Sequence, residues 1–538
     1  MRYDDLTCDI KAKALQLGAD LVGIAPVTRW AKAPLEHSPA GIMPTAVSVI
    51  VCAIHVPDAC VELSEETDPR VPGPSLTEMN VSVTLQHVAF RLARYLEGRG
   101  WASIALSQSS LWQYRPTKGA PRGWIGDICH YYAAVAAGLG EIGWHNLCIT
   151  PEYGTRQRFV SIITEASLEP DPLYDGEPLC DKCLLCAKHC PTKSFDKDVS
   201  GMCTIEIEDK LYVFPNRNLW RCGIGENFQL DVLLPWEEKV TEELILRMEE
   251  LAVTKRPEMV YGWKMGQCFK YCVPPQRRCF DKQYCKSPRR RRDNMPVADS
   301  EMLLKMAEKV TTLSRKLDVD IIGVAGLERC LKNGLNLRSI MPDAESVLAL
   351  GLTYPENAFL NTEFLAMRAE LGLANYLESE GCSALTRADI SPEDVARICG
   401  VEGENAGDGI PAKQGGSGRM WRTIITSAPL ERVLVDNLLV DVPTVTAGED
   451  DLTQAIRRLA ASEGAELVGM TPVQRIDDML PDLEKCFATE ENYFTVEDQG
   501  WSPAGENIWA GQGMPFNPVA ENKRLAPVSP RQYLESAK

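Results

Sequence analysis

The chain has 538 residues, 45% of them hydrophobic and 25% charged, with a formal net charge of −18. That length exceeds one ordinary core and predicts three or four domains of a globular protein. The acidic balance argues against a nucleic-acid backbone as a general partner.

The opening residues, Met1-Arg2-Tyr3-Asp4-Asp5, show no charged-then-apolar leader pattern, and the apolar run from Ala46 to Val56 is too short to span a bilayer. The cytoplasm is the expected location, with no membrane partner. Leu17–Val27 reads as the end of an amphipathic helix followed by a short strand. Ile42–Val49 leads into a second apolar strand, Leu92–Glu97 reads as helix, and Ile162–Glu169 follows further on. The same four segments recur in the same order as Leu317–Leu327, Ile340–Val347, Leu373–Glu378 and Ile424–Glu431. A third start lies at Glu463–Val473. The repeats predict two copies of one α/β domain, over 1–175 and 298–440, around an inserted segment at 176–297. A partial third copy and a Pro/Gly-rich tail would fill 441–538.

Between the early strands and the insert lies a dense stretch. Gly126-Asp127-Ile128-Cys129-His130-Tyr131-Tyr132 enters an Ala-rich helix that ends in a Gly138-x-Gly140-x-x-Gly143 turn. No strand precedes the turn, so it is not read as a dinucleotide site. The glycines suggest close approach of the backbone to a large flat ligand. The turn Thr150–Arg158 then carries two cations, Arg156 and Arg158.

The insert opens with Cys180-x2-Cys183-x2-Cys186-x3-Cys190-Pro191, the bacterial ferredoxin spacing for a [4Fe–4S] cluster. A zinc site would be expected to use separated cysteine pairs instead. Nineteen cysteines occur in all, ten of them between Cys180 and Cys285, which points to metal rather than a disulfide framework. In such motifs the fourth cysteine serves a different cluster, so Cys190 needs partners. Cys268-x3-Cys272 with a nearby proline reads as the tail of a stretched second motif. One cluster would then take Cys180, Cys183, Cys186 and Cys272, and the other Cys190, Cys203, Cys222 and Cys268. Cys279 and Cys285 are rivals for Cys203 and Cys222, and a single-cluster protein with structural thiols is the alternative. The run Arg289-Arg290-Arg291-Arg292 reads as a solvated linker, or as a dock for an acidic partner.

The stretch from Ala137-Gly138-Leu139-Gly140 through Tyr153-Gly154-x-Arg156 to the Cys180–Pro191 motif resembles the cobalamin-dependent iron–sulfur reductases, which include epoxyqueuosine reductase and the reductive dehalogenases. The resemblance covers about residues 5–200. It implies a mixed α/β (α+β) protein with a nitroreductase-like cobalamin-binding domain and a ferredoxin-like dicluster domain. The second α/β copy, lacking the cysteine motif, would be a degenerate structural or pocket-closing partner. The resemblance implies two [4Fe–4S] clusters and a base-off cobalamin lined by Gly138, Gly140, Gly143 and Asn146. It further implies a proton donor, with Asp127 the first candidate and Tyr131 the second. His130 lies in the same stretch, and Arg156 would hold an anionic substrate or intermediate. Read from the residues alone, Asp127 also fits a helix N-cap, His130 a satisfied buried histidine, and Tyr131 and Tyr132 helix packing. The function expected is reduction of a small molecule, with electrons from a donor such as ferredoxin or flavodoxin. A homodimer and a subunit of a larger complex are both compatible. The alternatives are an iron–sulfur electron-transfer subunit without corrinoid and a flavin-dependent reductase.

Overall fold

Two apolar runs, Ser48–His55 and Gln157–Thr164, form adjacent strands that are buried at every position in the computed structural model. Full burial requires cover on both faces, and alternation along the strand distributes it. Ile50, Cys52 and Ile54 join an apolar cluster with Ile10 of the helix Tyr3–Leu17 and Leu85 of the helix Pro74–Glu97. Val49, Val51 and Ala53 join another, closed by Ala133–Val135 of the short helix His130–Ala136. Leu21–Pro26 and Ser103–Ala105 flank the pair on either side, giving a four-stranded antiparallel sheet. The structure describes residues 3–64, 74–108, 128–197, 199–218, 221–222, 266–292, 294, 300–355, 359–402, 417–434, 438–439, 454, 456–458 and 460.

A second antiparallel sheet repeats the order with Ile321–Gly326, Ser346–Pro355, Ser417–Thr426 and Ala384–Thr386, and adds Leu438–Leu439 beside the first of these. The register repeats as well. Ser48 faces Pro26 and Thr164, and Ser346 faces Gly326 and Thr426. Asp20 accepts from the His55 backbone N–H, and Asp320 accepts from that of Thr353. The long helices Pro74–Glu97 and Phe359–Ser379, one from each copy, pack on each other, with Asn80 donating to Glu370 at 2.9 Å. The architecture is mixed α/β. The chain divides into one unit over 1–240 and 262–440 and another over 241–261 and 441–538. The third repeat start and the tail lie outside the described residues. No helix among the described residues is long and apolar enough to cross a membrane.

The arginine run corrects an expectation. Arg289 and Arg290 form a short strand against Arg278–Cys279, and their side chains turn inward. Arg289 pairs with Glu62 at 3.0 Å, Arg290 with Asp58 at 2.6 Å, and Arg292 with Glu378 at 3.0 Å. Arg156 is fully buried and reaches both Asp58 and Glu62. The acids come from the helix Asp58–Glu62 of the first copy and the long helix of the second. Arg289, Arg290 and Arg292 therefore form an inward-facing clasp joining the two copies and the insert, while Arg291 alone of the run is exposed. Burial opposes ionisation of Asp58, but Arg290, His55 and Arg156 outweigh it and hold this carboxyl well below its ordinary range. Removing one member of such a network leaves an uncompensated buried charge, at a cost of about 3–5 kcal/mol.

His55 gives the clasp a pH dependence. It is buried, lies 3.6 Å from Asp58, and stacks on Tyr153 at 4.3 Å between ring centroids. Burial, aided by Arg290 and Arg292 and opposed by Asp58, lowers its pKa to about 4. The unfolded chain, at about 6.5, binds this proton first, so the stability is present above that value and is lost as pH falls toward 4. Between pH 7 and 5 the loss amounts to about 2 kcal/mol. Glu378, raised to about 7 by burial, titrates in the opposite sense, so the informative quantity is a difference between proteins. His55→Asn is expected to flatten the fall in apparent urea midpoint from pH 7 to pH 5. An unchanged slope in this variant would show that His55 does not carry it.

Candidate functional site: a four-thiol cavity and the turn beside it

The ferredoxin-type run is tightly coiled. Lys182 and Leu184 adopt left-handed backbone, with φ of 55° and 59°, and Leu185–Lys188 is a single helical turn. This turn packs on the helix Gln267–Tyr271, and His189 stacks on Tyr271 with centroids 3.8 Å apart. The packing delivers Cys272 to the other three thiols. Cys180, Cys183, Cys186 and Cys272 line one small cavity, together with Trp144, His145, Tyr271 and Arg278. The Trp144 backbone N–H donates to Cys180 Sγ at 3.4 Å, and Glu141 accepts from the Leu179 and Cys180 amides. Burial and then the neighbouring Cys180, Cys186, Cys268 and Cys183 push the Cys272 thiol well above its ordinary pKa. Burial likewise raises Cys186 to about 12. Buried thiols this reluctant to ionise alone fit a site where a bound cation compensates the thiolate charge.

The other candidate ligands are placed less uniformly. Cys190 Sγ accepts from the Ser194 amide at 3.4 Å. The Asn218 amide donates to Ser194 O at 2.8 Å, and Cys222 follows one helical turn later, its amide donating to Asn218 O. The structure thus brings Cys190 and Cys222 to one segment, and Cys268 lies on the helix packed beside it. Cys203 sits on a hairpin, Met202–Ile207 with Lys210–Pro215, opposite Phe214. The inner face of that hairpin packs on the Ala133–Ala137 cluster, and Cys203 bears electrostatically on Tyr132. The two rivals are engaged elsewhere. Cys279 Sγ donates to Arg289 O, and buried Cys285 donates to Ser287 O.

Beside the cavity runs the glycine turn. A Cβ on Gly138, whose φ is +77°, would lie 2.1 Å from the Pro172 carbonyl oxygen, and one on Gly140 would lie 1.9 Å from that of Ile149. On Gly143 it would meet Ile149 Cδ1 at 2.5 Å and His145 Cε1 at 2.8 Å. Contacts within the chain itself already exclude a Cβ at each of these glycines. Asn146 is held at φ 67° and accepts from the Tyr132 hydroxyl at 2.9 Å.

The proposed acid–base residues separate. Asp127 lies outside the described residues. His130 has both ring nitrogens engaged, by Ser161 Oγ at 2.9 Å and Ser107 O at 2.7 Å, and burial lowers its pKa. It is a positioned neutral histidine. Arg156 spends its terminal nitrogens on Asp58, Glu62, Lys270 O and Pro288 O. That placement does not fit the anion-binding role expected of it. Tyr131, half-buried and packed edge-on against Phe159, accepts at its hydroxyl from Arg158 Nη1 at 2.8 Å. Arg158 was one of two cations in its turn, and only the packing distinguishes it from Arg156.

No family model matches the chain. Over 212 residues it is 28% identical to the tetrachloroethene reductive dehalogenase of Sulfurospirillum multivorans, covering 35% of this chain and 40% of that protein. Over 70 residues it is 41% identical to epoxyqueuosine reductase of Listeria monocytogenes, 13% of this chain and 18% of that one. Among solved structures, a catabolic reductive dehalogenase aligns over 80% of this chain and 61% of its own, with 14% identity and a TM-score of 0.28. Epoxyqueuosine reductase from Streptococcus thermophilus aligns over 35% and 53%, with 18% identity and a TM-score of 0.26. The chain spans less than half the length of the relatives it matches in sequence. Reductive dehalogenases and epoxyqueuosine reductase, all named as reductases, are thus homologues of this chain.

Proposed function

We propose that this chain is a reductase that passes electrons through iron–sulfur clusters to a cobalamin, which in turn reduces a small molecule. The observation that carries this reading is the turn Gly143–Asn146. It touches the four-thiol cavity through Trp144 and His145, and the Tyr132 hydroxyl through Asn146. A cluster in the cavity would be held by Cys180, Cys183, Cys186 and Cys272. A second would draw on Cys190, Cys222, Cys268 and Cys203. A base-off cobalamin bound along Gly138–Asn146 would supply a strongly reducing cobalt centre.

The chain's own residues then have distinct tasks. Tyr131 donates the proton, because the Arg158 guanidinium on its hydroxyl stabilises the phenolate left behind. Asn146 and Tyr132 fix the turn between the clusters and the cofactor. In this reading residues 1–175 form the nitroreductase-like cobalamin domain, 176–297 the dicluster domain, and 298–440 the pocket-closing copy. Electrons arrive from an external donor such as ferredoxin or flavodoxin.

Anaerobic purification with cobalamin present, followed by metal and corrinoid analysis, tests the proposal. About eight iron atoms and about one corrinoid per chain are expected. Full iron with no corrinoid after repeated reconstitution would overturn it in favour of an electron-transfer subunit, and a yellow chromophore released by acid would favour a flavin enzyme. Turnover of the loaded protein would be assayed with tetrachloroethene, a halogenated phenol and the epoxyqueuosine nucleoside.

A further inference from the structure

His145 is buried to 1% exposure, yet its Nε2 has no hydrogen-bond partner within the protein. The Leu147 backbone N–H donates to its Nδ1 at 3.0 Å. That bond makes Nδ1 an acceptor, so the proton of the neutral ring resides on Nε2. A buried N–H donor without an acceptor costs about 1–3 kcal/mol, which is a reason to look for a ligand that accepts from it. The ring lines the cavity that holds Cys180, Cys183, Cys186 and Cys272. Its neighbour already serves that cavity, since the Trp144 amide donates to Cys180 Sγ. Gly143 completes the arrangement, because a Cβ there would lie 2.8 Å from the ring's Cε1 and 3.1 Å from Nε2.

We propose that His145 Nε2–H donates a hydrogen bond to a sulfur of the cluster bound in the four-thiol cavity and so sets its reduction potential. The inference rests on the proposed cluster. It makes His145 a positioning residue for the electron rather than a catalytic one. Hydrogen bonds to cluster sulfurs tune the potential. A donor aimed at sulfur stabilises the reduced, more negative cluster and raises that potential. The turn Gly143–Asn146 would then do two things: separate the cluster from the cofactor site and adjust the driving force between them.

The test uses the full-length holoprotein labelled with ¹⁵N-histidine, reduced with dithionite and examined by pulsed electron paramagnetic resonance. A ¹⁵N coupling and an exchangeable proton on the reduced cluster are expected. The nitrogen coupling should vanish in His145→Gln and persist in His189→Phe. His145→Leu is expected to weaken reduction about tenfold, a fall of about 59 mV for a one-electron couple, and His145→Gln, which keeps an N–H donor, should restore most of it. A reduced-cluster signal without nitrogen coupling would overturn the inference while leaving the cluster in place. The labelled wild-type protein gives this answer even if the leucine variant fails to assemble. No reduced-cluster signal in any preparation would instead overturn the reading on which the inference rests.

Discussion

Replacing Tyr131 with phenylalanine is expected to lower turnover by about 10²–10⁴-fold, the usual contribution of a positioned general acid. The substitution keeps the ring, so the edge-on contact with Phe159, at 5.9 Å between centroids, is retained and the local fold should persist. What disappears is the hydroxyl that accepts from Arg158 Nη1 at 2.8 Å. Arg158 stays in place through its stacking on Phe269, with Cζ 4.7 Å from the ring centroid. The electron route is untouched by this change. Reduction of bound corrinoid, followed by its visible absorption, should therefore proceed as in the wild type while substrate turnover falls. Undiminished turnover would remove Tyr131 from the mechanism and return attention to Asp127.

The second large effect concerns Cys272. Cys272→Ala is expected to remove about half of the bound iron and to stop electron delivery to the corrinoid. The reason is geometric. Cys272, which caps the distant helix Gln267–Tyr271, lines the cavity from one side, and the other three thiols come from the Cys180–Cys186 coil. Three thiolates leave one iron of the cubane without a protein ligand. Cys279→Ala is the matched control, since Cys279 is engaged with the Arg289 carbonyl and should not alter the iron content. A Cys272→Ala protein with full iron and an unchanged low-temperature electron paramagnetic resonance spectrum would break the proposed ligand set.

Much of this site could be read along the chain because its rules are local. The spacing Cys180 to Cys186 predicts a tight coil that gathers its thiols, and the x3 spacing at Cys268 and Cys272 pointed to Cys272, whose side chain lines the same cavity. The Ala-rich lead-in at His130–Ala136 is helical as expected, because small apolar residues fit between that helix and the sheet. The repeated segments were visible because each copy has to cover the same two sheet faces with the same alternation.

Other features depend on partners far away in sequence. Arg156 and Arg158 are two residues apart in one turn. One lies in the charge clasp and the other reaches the Tyr131 hydroxyl, and nothing in their own segment distinguishes them. The run Arg289–Arg292 looks solvated because a charged run carries no record of its counter-charges, which here are Asp58, Glu62 and Glu378. Gly138 and Gly140 have the composition of a ligand-binding turn, and they also face backbone of Pro172 and Ile149 that leaves no room for a Cβ. The sequence by itself determined the repeated α/β units and the clustering of the cysteines, since periodicity and residue spacing are properties of short stretches. Only the tertiary structure decided which arginine meets Tyr131, where Arg289, Arg290 and Arg292 find their acids, and that His145 lines the thiol cavity with its Nε2 unpaired. Those outcomes depend on burial and on contacts between segments tens to hundreds of residues apart, which no local pattern encodes.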